Sequence, residues 1–369
     1  MGYHGATKWP LKPLISLHRS TADVLKAVLL RKDPGASSPR ASLSEVPVPA
    51  LADGDVLVSM KACGLCGTDI EKLHGEYTAA MPVLGHEAVG VVTSTLGDVG
   101  DLKEGDRVFP HHHVPCHRCH YCRHGSETMC KEYRGSNIDP GGFSELFRVP
   151  SWNVKGGGVL KLPANVGFEE ASMIEPAACC IRALDRCGVG PDDSVLVVGA
   201  GPVGMTHSLI LLSMKAKVYV SDVIETRLAL AGRSGVQAAF DAARADVPTS
   251  VRDVTGGRGA DLAIVASGSQ RAIIQALKSV RRGGKVCLFG VPVKGSVLDY
   301  DIGDVFNSEV SIISSYAATD VETRKALAMM ADRRVDFGSL ITHRFSLGDF
   351  DRAVQTSVKG EGMKTIITA

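Results

Sequence analysis

The chain has 369 residues, 44% of them hydrophobic and 22% charged, and its 41 basic and 40 acidic side chains leave a net charge of +1. That length exceeds what one core usually organises, so two domains are expected. The charge balance argues against nucleic acid or an anionic membrane as partner, and no apolar run approaches the roughly eighteen residues of a membrane span.

Residues 1–24 carry Trp9, Pro10 and Pro13, and their apolar stretch from Leu14 to Leu17 is too short for the core of a secretory signal. They read as an arm ahead of the first strand. Ten cysteines without such a signal suggest metal binding rather than disulfides, with a cytoplasmic location expected. The next half is rich in strands and turns, with strands predicted at 25–30, 55–62, 88–96 and 107–109, separated by Gly, Pro and Asp clusters. Beyond about Ser172 the pattern changes to an apolar strand at 194–198, a helix at 203–216 and a strand at 217–221. A strand at 260–266, a helix at 271–280 and strands at 285–289 and 310–314 follow. Strands buried on both faces and alternating with helices predict an α/β fold with a parallel, doubly wound sheet. Helices at 323–333 and 349–357 precede a last strand at 364–368 that is expected to return to the first domain. The expected division is an arm at 1–24, a β-rich catalytic domain at 25–175, a cofactor domain at 176–318 and the return at 319–369.

Two clusters have the residue types of metal sites. Cys116, Cys119, Cys122 and Cys130 are spaced C-x2-C-x2-C-x7-C, close enough for four thiolates to enclose one zinc and leave no open position. The interleaved His117, His120 and His124 read as solvent-facing. The second cluster is split: Cys66 lies in CGLCGTD, and His86 and Glu87 lie in LGHEAVG. A catalytic zinc needs three protein ligands and one exchangeable position. Cys66 and His86 supply two, with Glu87 or Glu175 as the third. Each of these residues taken alone reads first as an ordinary core or capping residue; the combination points to the metal.

GAGPVG follows the apolar run VLVV and opens the helical pattern. Gly199 suits the tight turn, Gly201 the approach of a pyrophosphate and Gly204 close helix–strand packing, with Pro202 and Val203 starting the helix. Asp222, eighteen residues past Gly204, ends the next strand and suits ribose hydroxyls, favouring NAD over NADP; Arg227 stands close enough in sequence to bear on that choice. The run His111, His112 and His113 cannot turn all three rings to one metal at strand geometry, though one of them suits the cleft. Gly156 to Gly158 and Gly256 to Gly259 read as turns, and Cys179, Cys180, Cys187 and Cys287 as core residues.

CGLCGTD, GHEAVG, the four-cysteine lobe, GGFSELFRVP, IEP and VLVVGAGPVG stand here in the order found in zinc-dependent medium-chain dehydrogenases, which the chain resembles from about residue 25 to 369. The nearest resemblance is to the sorbitol, threonine and polyol dehydrogenase branch. It implies a GroES-like catalytic domain and a Rossmann domain with the active site between them. It also implies a catalytic zinc on Cys66, His86 and a carboxylate (Glu87 or Glu175), a substrate proton passed through Thr68, and Asp69 orienting a ligand. Several relatives have a relay histidine five residues past the zinc cysteine; here that residue is Glu71, so the proton leaves through Glu71, His74 or water. The implied reaction is hydride transfer between a secondary alcohol (polyol, sugar alcohol or cyclitol) and NAD, with L-threonine or 2,3-butanediol as further substrates. A zinc-independent enone or quinone reductase of the same superfamily needs neither Cys66 nor His86. A homo-oligomer, tetramer or dimer, is implied through the edge of the Rossmann sheet.

Overall fold

The computed structural model describes residues 24–31, 39–75, 82–292 and 295–369. Apart from Val24, the N-terminal arm lies outside them. In chain order the strands of the described residues are β1 (Val24–Arg31), β2 (Arg40–Pro47), β3 (Val56–Gly64), β4 (Glu87–Thr95), β5 (Arg107–Pro110), β6 (Leu146–Val149), β7 (Val159–Lys161), β8 (Ser194–Val198), β9 (Lys217–Asp222), β10 (Ala238–Asp241), β11 (Ala260–Val265), β12 (Val280–Leu288), β13 (Ser311–Ser314), β14 (Ile341–Ser346) and β15 (Lys364–Thr368).

Strands β1 and β2 form an antiparallel ribbon. A seven-stranded sheet runs β14-β15-β3-β4-β5-β7, with β6 also paired to β3. In β3 the side chains of Val56, Val58, Met60 and Ala62 are fully buried while those between them are more exposed, the period of two that a one-sided sheet requires. The C-terminal strand β15 pairs antiparallel to β3, opposite Cys63 and Gly64.

The second sheet is wholly parallel, in the order β10-β9-β8-β11-β12-β13. This order reverses between β8 and β11, which is where a doubly wound sheet leaves a crevice at the carboxyl ends of its strands. All five residues of β8 are buried, as expected of a central strand covered on both faces. The GroES-like and Rossmann architectures expected from the sequence are thus both present. Strands β2, β6, β7, β10 and β14 were not predicted; they are short or half-exposed, and their apolar residues are too few to show a period. The Ile174–Cys187 helix was not predicted either. It ends where Gly188 takes a left-handed conformation (φ 63°), the usual glycine stop.

That helix joins the two halves. Arg182 is buried and donates through Nη2 to Glu127 Oε2 (3.2 Å) and the Gly125 carbonyl (3.3 Å), and through Nη1 to Glu322 Oε1 (3.4 Å). It therefore ties the four-cysteine lobe to the Asp320–Ala331 helix. His117 is exposed, as expected, and its ring also reaches Asp320 across the same junction (3.2 Å). Removing one partner of a buried ion pair strands the other charge, at a cost of roughly 3–5 kcal/mol. Arg182→Ala should lose stability of that order in urea unfolding, and adding Glu322→Gln to it should recover a measurable part.

Candidate metal centres and cofactor site

Cys66 caps the N-terminus of the short Gly67–Leu73 helix, and the cap is built on Asp69. Asp69, fully buried, accepts the Cys66 backbone N–H at 3.1 Å through Oδ2. Its Oδ1 accepts the Gly85 N–H (3.4 Å) and lies 3.5 Å from His86 Nδ1. Burial disfavours the Asp69 charge, but His86, Lys72 and the Cys66 N–H outweigh burial and hold the carboxyl below its usual range. With Nδ1 turned to Asp69, His86 has Nε2 left for a metal, the arrangement that fixes a ligand's tautomer.

Glu87 reaches the same place from β4. Gly64 is its cross-strand partner in β3, and a Cβ on Gly64 would lie 1.7 Å from Glu87 Oε2, so only glycine admits the carboxylate there. Oε2 contacts the ammonium of Lys364 from β15, both side chains being buried. Oε1 has no hydrogen-bond partner among the described residues. One ligand atom each from Cys66, His86 and Glu87 lie within 4.8 Å of one another. Thr68 Oγ1 is 3.4 Å from Cys66 Sγ. Glu71 is half-buried one turn further along the helix, and His74 is exposed at its end. Lys364 was not singled out in the sequence; its one signal is a lysine opening an otherwise uncharged, buried final strand.

Glu175 does not join this group. It lies in the first turn of the Ile174–Cys187 helix, accepts from Cys179 Sγ (3.4 Å), and converges within 4.8 Å on His111 and His112. Cys179 packs against the core as expected, half-buried, and its thiol also donates to Glu175. The chain leaves strand geometry after Pro110 and bends at His112, which turns two consecutive rings to one point. His113 turns away to the Ser136 carbonyl (2.5 Å). Burial lowers the His111 imidazole to about 3 and that of His112 well below its usual value, and burial raises Glu175.

In the lobe, the four sulfurs also lie within 4.8 Å of one another, with Cys119 to Cys122 at 3.5 Å and Cys130 to Cys116 at 3.6 Å. The Arg118 N–H brings the Cys116 thiol down to about 6, whereas burial and the other sulfurs push Cys122 up to about 12. Four crowded thiols with divided acidities suit a cation that ionises them together. The orphaned Glu87 oxygen and this sulfur cage both fit zinc.

At the second sheet Gly199 has φ +103° and donates to the Ser221 carbonyl, and Pro202 opens the Pro202–Ser213 helix. A Cβ on Gly204 would stand 1.8 Å from the Gly199 carbonyl oxygen. Val203 is half-buried in the first turn of that helix. The Asp222 carboxylate accepts from the Ala200 (2.6 Å), Val223 (2.7 Å) and Ile224 (2.9 Å) N–H groups, bracing the glycine turn. Arg227 folds back to this turn, as its place in the sequence suggested: Nη1 is 3.9 Å from Asp222 Oδ2 and 3.7 Å from where a Gly201 Cβ would be. An open glycine turn, a free helix N-terminus and an adjacent guanidinium fit a dinucleotide pyrophosphate.

These features define a two-domain dehydrogenase. The family profile "Alcohol dehydrogenase GroES-like domain" matches residues 52–164, and "Zinc-binding dehydrogenase" matches residues 202–332. The chain belongs to the zinc-dependent medium-chain alcohol dehydrogenase family and is an oxidoreductase of CH–OH groups. L-threonine 3-dehydrogenase of Shigella sonnei (strain Ss046) is 30% identical over 334 residues, covering 88% of this chain and 95% of the relative. Among solved structures, a zinc-binding dehydrogenase of Sinorhizobium meliloti 1021 bound to NADP superimposes with a TM-score of 0.84 at 26% identity, covering 94% of this chain and 100% of that one. The alcohol dehydrogenase of Thermus sp. ATN1 gives 0.83 at 28% identity, covering 93% and 99%. Among the described residues no helix is long and apolar enough to cross a membrane.

The lobe rests on the Ile174–Cys187 and Asp320–Ala331 helices and not on the glycine turn. Cys122→Ser should therefore release one zinc per chain and lower the thermal midpoint while leaving NAD affinity within about threefold; metal analysis, calorimetry and fluorescence titration check the three parts.

Proposed function

We propose that this protein oxidises a secondary alcohol of a polar small molecule to the ketone, with NAD as hydride acceptor. A catalytic zinc would be held by Cys66, His86 and Glu87, and a structural zinc by Cys116, Cys119, Cys122 and Cys130. The observation that carries this reading is the convergence of Cys66, His86 and Glu87, with the Thr68 hydroxyl beside the thiol. A zinc-independent reductase has no use for that convergence.

When bound, the zinc supplies Lewis-acid polarisation of the substrate oxygen and NAD the hydride-accepting ring. The chain's own groups do the rest. Asp69 holds His86 and the Cys66 turn in one orientation. Lys364 neutralises one oxygen of Glu87 and leaves the other without a hydrogen-bond partner among the described residues. The Thr68 hydroxyl takes the substrate proton and hands it along the helix, past Glu71, towards solvent at His74. The N-terminus of the Pro202–Ser213 helix and Arg227 hold the pyrophosphate. The Asp222 carboxylate, negative and bound to the glycine turn, disfavours a 2′-phosphate and so favours NAD over NADP.

A polyol, sugar alcohol or cyclitol is the first substrate class. L-threonine is a second reading, favoured by the 30% identical relatives of that activity; 2,3-butanediol is a further one. A homo-oligomer through the β13 edge is supported by the exposed apolar side chains of Ile302, Phe306 and Ile312 beside it.

Two experiments test the reading. NAD reduction across polyols, cyclitols, simple alcohols, 2,3-butanediol and L-threonine, repeated with NADP, should give turnover with one polar secondary alcohol and a preference for NAD. Enone reduction by zinc-free protein would overturn it. Thr68→Val should lower kcat by roughly 10²–10⁴-fold, with zinc content and NAD affinity unchanged. A kcat within threefold of the parent would remove Thr68 from the proton path.

A further inference from the structure

We propose that His111, His112 and Glu175 form a second divalent-cation site beside the Cys66, His86 and Glu87 group, so that the chain holds three metal ions rather than two. The three residues come from two separate elements: both histidines from the bend after β5, and Glu175 from the Ile174–Cys187 helix. One donor atom from each lies within 4.8 Å of the others, and all three residues are buried.

The nitrogen atoms carry the argument. His111 Nδ1 faces the His113 carbonyl, which only accepts, so Nδ1 carries the proton and Nε2 the lone pair. That Nε2 is buried and has no hydrogen-bond partner among the described residues. An imidazole whose far nitrogen donates to a backbone carbonyl is set as metal-ligating histidines are set. His112 Nδ1 is likewise buried without a hydrogen-bond partner among the described residues. A buried, unpartnered lone pair on His111, beside a second unpartnered imidazole nitrogen and a carboxylate, is rarely tolerated in a protein interior without a cation or a donor.

The rings are also held in place from behind. Asn153, fully buried, donates to the His111 (2.9 Å) and His112 (3.0 Å) carbonyls and fixes the bend that brings the rings together. Cys179 holds one oxygen of Glu175. Two imidazoles and a carboxylate suit zinc or another divalent first-row ion and leave coordination positions open. The His112 ring lies 5.2 Å from the His86 ring, centroid to centroid, so the two sites are neighbours.

The test is metal content, which needs no substrate. Full-length protein is saturated with zinc in a zinc-buffered solution, freed of excess by gel filtration and analysed by mass spectrometry. The expected contents are three zincs per chain for the parent, two for His111→Asn/His112→Asn, two for Cys66→Ser and one for the three changes together. A parent that saturates at two, with Cys66→Ser falling to one, overturns the proposal, as does a histidine variant that binds as much as the parent. Loss from Cys66→Ser is read separately, so failure of the first zinc assignment shows as a Cys66→Ser variant with unchanged content. Should the histidine variant not fold, cobalt loading of the parent decides: a third equivalent that adds d–d absorption without thiolate charge-transfer bands supports the site, and saturation at two equivalents overturns it.

Discussion

The site depends on one buried carboxylate. Asp69 is enclosed, so its charge must be answered by donors, and the donors it finds are the Cys66 N–H, the Gly85 N–H and the His86 ring. Those groups belong to two turns far apart in the chain. The electrostatic demand of a single side chain therefore fixes the relative position of the thiol and the imidazole. A metal arriving there meets ligands already oriented, and little ordering entropy is left to lose on binding.

The long Ile174–Cys187 helix gives that site its surroundings. Its first turn carries Glu175 to the His111 and His112 bend, its middle carries Arg182 to the four-cysteine lobe, and its last residue lies beside β12, where Lys285 donates to the Cys187 carbonyl. A rigid rod in contact with the metal-binding residues, the lobe and the dinucleotide sheet keeps all three in register. The lobe thus acts on the chemistry at one remove, through where the helix lies.

Much of this was legible in the chain itself, and the limits have physical causes. The four-cysteine spacing and the glycine turn after VLVV are local: ligands and loop sit within a few residues of one another, so spacing alone describes them. Cys66, His86 and Glu87 are distant, but their glycine-flanked turns marked them. Lys364 carried no such mark, because a lysine in a short strand acquires meaning only once β15 is seen to lie against β3 and bring it to Glu87. His111 and His112 were judged by strand alternation, which stops applying where the chain bends after Pro110. The contacts of Arg227 with Asp222 and of His117 with Asp320 were not legible, because those partners come from other elements.

The pairing of β15 with β3 has a consequence for how the protein is made. Glu87 emerges early in synthesis, with no counter-charge for the oxygen that Lys364 will meet, and it waits while the whole dinucleotide domain is translated. Only when the chain has passed that domain does the strand carrying Lys364 become available to close the first sheet. The catalytic half therefore cannot mature on the ribosome ahead of the half inserted into it, and the two must finish together.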